Sequence, residues 1–198
     1  MLMLYIFDLD GTVIDSSHRQ NTLPDGSLDL ANWIENNTPD RIFADSLLPL
    51  AEKMRSVRSV KDTVAVITAR VMGDTDLAFM SRHGLKFDFL FSRAEGNNTP
   101  DDLLKRRAIL KLAKKLQRSM AWMRKNAIFF DDNLAVLDIM ASMGIKTVNA
   151  TLANERLPNE RPLHWCSMNS IRNIPHFPVT LLVDFLCLLV GLVCLLLV

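Results

Sequence analysis

Two pairs of aspartates stand where apolar segments of strand length end. Asp8 and Asp10 lie in FDLDGT, and Asp131 and Asp132 lie in IFFDDN. Acids at a strand end are also typical of caps and solvated turns. Two pairs at one sheet edge, however, would repel each other unless a cation lay between them. Carboxylate oxygens with room for water and phosphate favour Mg²⁺, so we expect a magnesium site formed by these four residues.

Three further side chains could bind the charged oxygens of a phosphoryl group. Thr68 and Arg70 follow the apolar segment VAVI, and Lys105, which we prefer to Lys111, lies near the start of a helical pattern. A hydroxyl, a guanidinium and an ammonium group all suit a phosphoryl group in transfer. Each has an ordinary alternative: a strand-end hydroxyl bonded to backbone, a surface arginine or a solvated lysine. Together with the aspartates they indicate phosphoryl chemistry.

These residues require a sheet whose strand ends meet at one edge. Five apolar segments have strand length: Leu2–Leu9, Thr63–Thr68, Phe87–Phe91, Ala127–Phe130 and Lys146–Ala150. Helical patterns alternate with them at Asp45–Arg58, Leu77–His83, Pro100–Arg118 and Asn133–Met143. This alternation predicts an α/β fold with a doubly wound, Rossmann-like parallel sheet. Such sheets bind ligands at the carboxyl ends of their strands, where the candidate residues stand.

The rest of the chain divides into three segments. We expect a catalytic domain at 1–150, with a small cap-like insertion at 15–58 that leaves the site nearly open. Residues 151–177 carry prolines among polar residues, which is typical of a linker. Residues 178–198 are mainly apolar with one charged residue, Asp184, and are long enough as a helix to cross a bilayer. We expect this C-terminal apolar helix to be a membrane anchor; a buried or dimerisation helix is the alternative.

The bulk composition limits the class of protein. The 198 residues carry a net charge of +1 and are 49% hydrophobic, which indicates one ordinary folded domain with no strongly basic overall field. Cys166, Cys187 and Cys194 lack metal-ligand spacing, so we interpret them as free thiols. No secretory signal is recognisable, and Arg161 and Arg172 precede the apolar segment, so the catalytic domain is expected on the cytoplasmic side.

The order of these motifs resembles that of the haloacid dehalogenase-like hydrolase superfamily over about residues 1–150. The matching motifs are DLDGT at Asp8–Thr12, the strand-end Thr68, the helix lysine Lys105 and the pair Asp131–Asp132. The resemblance implies that Asp8 is a nucleophile and metal ligand. It implies that Asp10 is the general acid and base and also binds the metal through its carbonyl oxygen. It further implies that Asp132 binds the metal directly, whereas Asp131 lies next to the direct ligands. An aspartate at position 10 is typical of the family's phosphatases and phosphotransferases.

A closer resemblance is to the phosphatase domain of phage-type polynucleotide kinase–phosphatases. It is carried by ITAR, DDLLKRRAI and FFDDN. No GxxxxGKS or GxxxxGKT loop occurs in the sequence, so we expect no kinase domain in this chain. Similar small phage phosphatases open with LDGT and IDSSHR, which implies a substrate-binding role for His18 and Arg19. Two polar residues of a surface loop are the alternative.

The expected activity is Mg²⁺-dependent hydrolysis of a phosphomonoester. A nucleic-acid 3′-phosphate end is the leading substrate, because the site looks open and a basic run could bind a polyanion. That run is Lys105, Arg106, Arg107, Lys111, Lys114, Lys115, Arg118, Arg124 and Lys125. A nucleoside monophosphate is the alternative substrate, and a solvated helix face is the alternative for the run. An idle, membrane-tethered binding module is disfavoured, since every motif residue is present.

Overall fold

The computed structural model describes residues 2–24, 29–57 and 62–157. The strands are β1 (Leu4–Phe7), β2 (Ile14–Asp15), β3 (Ser46–Leu47), β4 (Thr63–Ile67), β5 (Phe89–Phe91), β6 (Ala127–Asp131) and β7 (Lys146–Asn149). The helices are α1 (Leu30–Glu35), α2 (Pro39–Phe43), α3 (Leu50–Ser56), α4 (Asp74–Arg82), α5 (Asp101–Lys115), α6 (Met120–Asn126), α7 (Leu134–Ser142) and α8 (Ala150–Arg156). A 3-10 turn lies at Ser17–Arg19.

Five strands form one parallel sheet in the order β5-β4-β1-β6-β7. The chain runs outward from β1 through β4 to β5, and then returns to the other side of β1 for β6 and β7. This reversal makes the carboxyl ends of β1 and β6 the switch point, where open α/β sheets bind ligands. The predicted α/β fold with a parallel sheet is confirmed.

The sheet separates two apolar cores, because successive side chains of a strand point to opposite faces. Phe7 and Val66 belong to one core, which α3 and α4 cover. Ile6 and Ala65 belong to the other, which α5, α6 and α7 cover. Helices on both faces leave the strand ends as the open edge of the sheet.

The predicted helix over Asp45–Arg58 is wrong in its first turn, and Arg58 lies outside the described residues. Residues Ser46 and Leu47 form β3, which pairs antiparallel with β2. The Asp45 carboxylate is drawn into a buried ion pair, and Leu48 N–H donates to Val13 O at 3.1 Å, so this stretch is extended. The helix begins only after Pro49.

Helices α6 and α8 are among the short helices that the sequence patterns did not predict. Helix α6 begins after Ser119, whose hydroxyl accepts from Trp122 N at 3.2 Å and is a recognisable capping signal. Helix α8 occupies the start of the segment expected to be a linker. Asn149 caps it, and Asn154 joins it to the rest of the domain by accepting from Leu50 N at 2.8 Å. The proline-rich part of that segment follows α8.

The expected membrane anchor at 178–198 lies outside the described residues. Within the part of the chain that the structure describes, no helix has both the length and the apolar character to span a bilayer.

Candidate active site

Three carboxylates meet at the carboxyl ends of β1 and β6. Asp8 follows β1 directly, and its N–H donates to Phe130 O at 3.0 Å, which holds the two strand ends together. Asp131 ends β6 and Asp132 follows it. Carboxylate oxygens of Asp8, Asp131 and Asp132 lie within 4.8 Å of one another. The structure therefore brings together three of the four aspartates predicted to form the metal site.

A buried lysine lies among these acids. Lys105, only 1% exposed, places Nζ 2.8 Å from Asp131 Oδ2 and 3.1 Å from Asp8 Oδ2. Its third partner is Asp101, whose Oδ2 is 3.1 Å away. The sequence analysis did not assign Asp101 to the site, although its spacing of four residues from Lys105 places both on one helix face. One lysine among several acids leaves the cluster negatively charged.

Burial and mutual repulsion disturb the ionisation of the acids. Burial raises the pKa of Asp8 well above its usual value, despite the opposing charge of Lys105. Burial also raises the pKa of Asp131 to about 6 and raises the pKa of Asp132. Among the described residues, Asp8 Oδ1 is buried and has no hydrogen-bond partner. An oxygen without a donor, in a cluster with excess negative charge, fits a hard divalent cation such as Mg²⁺.

The turn after β1 fixes the shape of this cluster. The N–H groups of Val13 and Ile14 both donate to Leu9 O at 2.9 Å, so the chain reverses at once after the strand. Gly11 lies in this turn with a φ of 68°. A Cβ atom at Gly11 would overlap the Asp132 carboxylate. The absence of a side chain at position 11 therefore lets Asp132 approach the first motif.

A Gly11→Ala substitution is expected to displace Asp132 and raise the Mg²⁺ concentration for half-maximal activity on the order of tenfold or more, the range for groups that orient ligands. Gly96→Ala is the matched control, because Gly96 has a φ of 71° and open space around it. Both variants carry similar backbone strain, roughly 1–2 kcal/mol for alanine. Titration of activity with Mg²⁺ checks the difference; equal shifts in the two variants would show that Asp132 is not displaced.

Asp10, the fourth predicted member of the site, has different partners. Arg70 Nε donates to its Oδ2 at 3.0 Å, and Arg70 Nη2 and Ser16 Oγ both donate to its Oδ1. Burial tends to raise the pKa of Asp10, but Arg70 and Ser16 outweigh burial and hold that pKa below its usual value. Its side chain is 23% exposed. Asp10 is thus an ionised, reachable carboxylate at the edge of the acidic cluster, and its metal contact stays a prediction.

The predicted phosphate-binding pair follows β4, the neighbour of β1. Thr68 is buried, and its Oγ1 accepts from Arg70 N at 3.1 Å. The Arg70 guanidinium is also buried, and besides Asp10 it donates to Asp76 Oδ1 at 2.7 Å. Arg70 thus contacts the site through its hydrogen bonds to Asp10. Its direct contact with the substrate stays a prediction.

Arg19 and His18 converge on a residue that sequence reasoning missed. Arg19 is buried and donates to both oxygens of Asp45, from Nε at 2.8 Å and from Nη2 at 3.0 Å. His18 Nε2 lies 3.0 Å from Asp45 Oδ1, with 38% of its side chain exposed. Trp33 covers the Arg19 guanidinium at 4.2 Å from ring centroid to Cζ. In the sequence, Asp45 is only the first residue of the predicted helical pattern Asp45–Arg58, and nothing there marks it as a partner of Arg19.

The arrangement can be compared with known structures. A haloacid dehalogenase-like hydrolase from Streptococcus pneumoniae is 15% identical, with a TM-score of 0.51 over 93% of this chain and 98% of that one. A chain of the Pnkp1/Rnl/Hen1 RNA repair complex is 17% identical, with a TM-score of 0.52 over 74% of this chain. The match spans only 41% of the RNA repair chain. At these identities the likeness shows the fold, which is the predicted haloacid dehalogenase-like fold.

Sequence relatives are more informative than these structures. The 5′-deoxynucleotidase of Escherichia phage T5 is 31% identical over 168 residues, covering 77% of this chain and 68% of the relative. A family model described as bacteriophage T5 5′-deoxynucleotidase matches residues 1–163. The prediction of a phosphatase-type hydrolase is confirmed. The chain belongs to the bacteriophage T5 5′-deoxynucleotidase family.

Proposed function

We propose that this protein is a Mg²⁺-dependent 5′-nucleotidase that removes the phosphate of deoxynucleoside monophosphates. The observation that carries the proposal is the convergence of Asp8, Asp131 and Asp132 around Lys105, in a chain that belongs to a 5′-deoxynucleotidase family. Such a cluster supplies a nucleophile, a cation site and a positive charge for a phosphate. The sequence had favoured a nucleic-acid end, and the family match shifts that preference to the nucleotide.

The proposed reaction has two displacements at phosphorus. An Asp8 carboxylate oxygen forms a bond to phosphorus as the bond to the 5′-oxygen breaks, and Asp10 gives that oxygen a proton. Water then attacks the phosphorus of the aspartyl-phosphate while Asp10 takes its proton, which restores Asp8 and releases phosphate. Asp10 is ionised beside Arg70, the form required for the second step. For the first step it must take up a proton, which requires a looser contact with Arg70.

Asp8, Asp131 and Asp132 are the residues that would hold the cation. A bound Mg²⁺ would neutralise charge on the nucleophile and the phosphate. Both Asp131 oxygens already accept hydrogen bonds, from Lys105 Nζ at 2.8 Å and Asn133 N at 2.9 Å. Asp132 is exposed at the rim of the cluster. We therefore propose that Asp132 is the principal ligand of the second pair and that Asp131 mainly orients Lys105.

Mg²⁺ is expected to raise the melting temperature, and more so at about pH 7.5 than at about pH 5.5. Burial raises the pKa of Asp8, Asp131 and Asp132, that of Asp131 to about 6, so at the lower pH protons compete with the metal for the site carboxylates. Melting curves in Mg²⁺ and in EDTA at both pH values check this. Asp132→Ala should reduce the Mg²⁺ effect more than Asp131→Ala does. A larger Mg²⁺ effect at the lower pH would contradict the assigned cluster.

A nucleic-acid 3′-phosphate is the second candidate substrate, and one surface favours it. Helices α5 and α6 and the turn between them expose a series of basic residues, with no acid between residues 106 and 125. Its exposed members are Arg106, Arg107, Lys111, Lys114, Lys115, Arg118, Arg124 and Lys125. A polyanion bound there would release counterions, so its binding would weaken steeply with salt.

The experiment that separates the candidates is phosphate release from matched substrates in Mg²⁺. The panel contains 5′-deoxynucleotides, 3′-deoxynucleotides, 5′-ribonucleotides and an oligodeoxynucleotide with a 3′-phosphate, each at low and high salt. We expect the highest kcat/KM for the 5′-deoxynucleotides, with a weak dependence on salt. A higher kcat/KM for the oligonucleotide, with steep salt dependence, would replace the proposal by the second candidate.

A further inference from the structure

A buried network of charges connects the insertion after β2 to Asp10. Its centre is Asp45, between α2 and β3, whose side chain is fully buried. Asp45 accepts from Arg19 through both oxygens and from Arg70 Nη2 at 3.4 Å through Oδ2. The same Nη2 of Arg70 donates to Asp10. Arg70 Nη2 therefore lies between the carboxylate of Asp45 and that of Asp10, the proposed general acid and base.

Two further residues hold the guanidinium groups of this network. Asp76, at the start of α4, holds Arg70 Nη1 at 2.7 Å and also accepts from Gly73 N at 2.9 Å. Trp33 of α1 lies over both guanidinium groups, at 4.2 Å from Arg19 and 5.7 Å from Arg70. Arg70 is thus held by Asp45, Asp76 and Trp33, and its orientation fixes the Asp10 carboxylate.

We propose that Asp45 is a positioning residue, which holds Arg19 and Arg70 so that Arg70 presents the Asp10 carboxylate to the leaving oxygen of the substrate. If Asp45 were removed, the two buried guanidinium groups would keep two carboxylates of the network, those of Asp10 and Asp76. Arg70 would lose one of its anchors, and Arg19 would lose both ion-pair contacts. The nucleophile, Lys105 and the metal cluster have no part in this network, so attack by Asp8 would be retained.

The inference rests on the proposed roles of Asp8 and Asp10, and it predicts a loss that depends on the leaving group. The 5′-alkoxide of a deoxynucleoside is a poor leaving group and needs a proton from Asp10. The p-nitrophenolate ion is a good leaving group and needs no proton. Because kcat/KM reports steps only up to departure of the leaving group, it isolates the acid step.

The experiment compares Asp45→Asn with the full-length parent and with Asp138→Asn, an exposed control on α7. For Asp45→Asn we expect kcat/KM on a deoxynucleoside monophosphate to fall at least about tenfold, which is part of the rate contribution of a general acid. On p-nitrophenyl phosphate we expect kcat/KM to fall less than about threefold. In an Asp10→Asn background, Asp45→Asn should have no further effect on the nucleotide reaction. Equal losses on both substrates, no loss on either, or full additivity with Asp10→Asn would overturn the proposal.

Two further comparisons cover the cases in which the variant does not fold or the parent does not hydrolyse deoxynucleotides. If Asp45→Asn does not fold, the variant Arg19→Gln/Asp45→Asn removes both members of the buried pair without leaving an unpaired charge, and the same selective loss is expected. If the parent does not hydrolyse deoxynucleotides, the proposed substrate is wrong. The comparison then uses whichever phosphate ester of an unactivated alcohol the parent hydrolyses, so the role of Asp45 is judged separately.

Discussion

The Asp8→Asn variant is expected to lose all turnover above background while keeping its fold. The amide is nearly the same size as the carboxylate, but it is a poor nucleophile and cannot form the acyl phosphate that divides hydrolysis into two steps. Burial raises the pKa of Asp8, which means that its negative charge is unfavourable in the folded protein at neutral pH. Removal of that charge should leave the melting temperature in EDTA unchanged or higher.

Phosphate release and thermal melting of Asp8→Asn check both parts of this prediction. Asp138→Asn is the matched control, because it makes the same chemical change at an exposed position of α7. The control should retain parental activity. Substantial hydrolysis by Asp8→Asn would contradict its role as nucleophile, and a large fall in its melting temperature would mean that the substitution disturbs the fold.

The Asp10→Asn variant is expected to lose about 10²–10⁴ in kcat on a deoxynucleotide, the usual contribution of a general acid and base. Asparagine can still accept from Arg70 through its amide oxygen, but it cannot exchange a proton with the leaving oxygen or with water. The loss in kcat/KM should be much smaller on p-nitrophenyl phosphate, whose leaving group needs no proton.

Steady-state kinetics with the two substrates measure this difference. Ser16→Ala is an informative comparison, because it removes one hydrogen bond to Asp10 and leaves the carboxylate in place. We expect the Ser16→Ala variant to lose far less activity than Asp10→Asn. A loss for Asp10→Asn that is the same on both substrates would assign Asp10 to binding instead of proton transfer.

The sheet and the motif residues on it could be predicted because both are local signals. Each apolar segment has the length and residue types of a buried strand, and Asp8, Thr68 and Asp131 stand at the ends of such segments. The parallel arrangement of the sheet then brings these ends to one edge. Lys105 could be placed because it lies near the start of the helical pattern that precedes the second acidic pair.

The partners of Arg19 and Arg70 could not be predicted in the same way. Trp33 lies in a polar segment with no clear periodicity, and Asp45 lies at the edge of a helical pattern. The contacts of both residues depend on how α1, α2 and β3 fold back on the first motif. A buried ion pair between residues 26 positions apart leaves no pattern in one sequence. The start of α3 was misplaced for the same reason, since the Asp45 ion pair is tertiary and outweighs local helix preference.

The chemical account is tested most directly by a search for the phosphorylated enzyme. The protein is quenched in acid during turnover of a deoxynucleoside monophosphate with Mg²⁺, reduced with borohydride and digested for mass spectrometry. An aspartyl-phosphate is reduced to homoserine, so the account predicts homoserine at position 8 in the parent, and no such product without substrate or in Asp8→Asn. Turnover with no modification at Asp8, or with the modification at another aspartate, would contradict it.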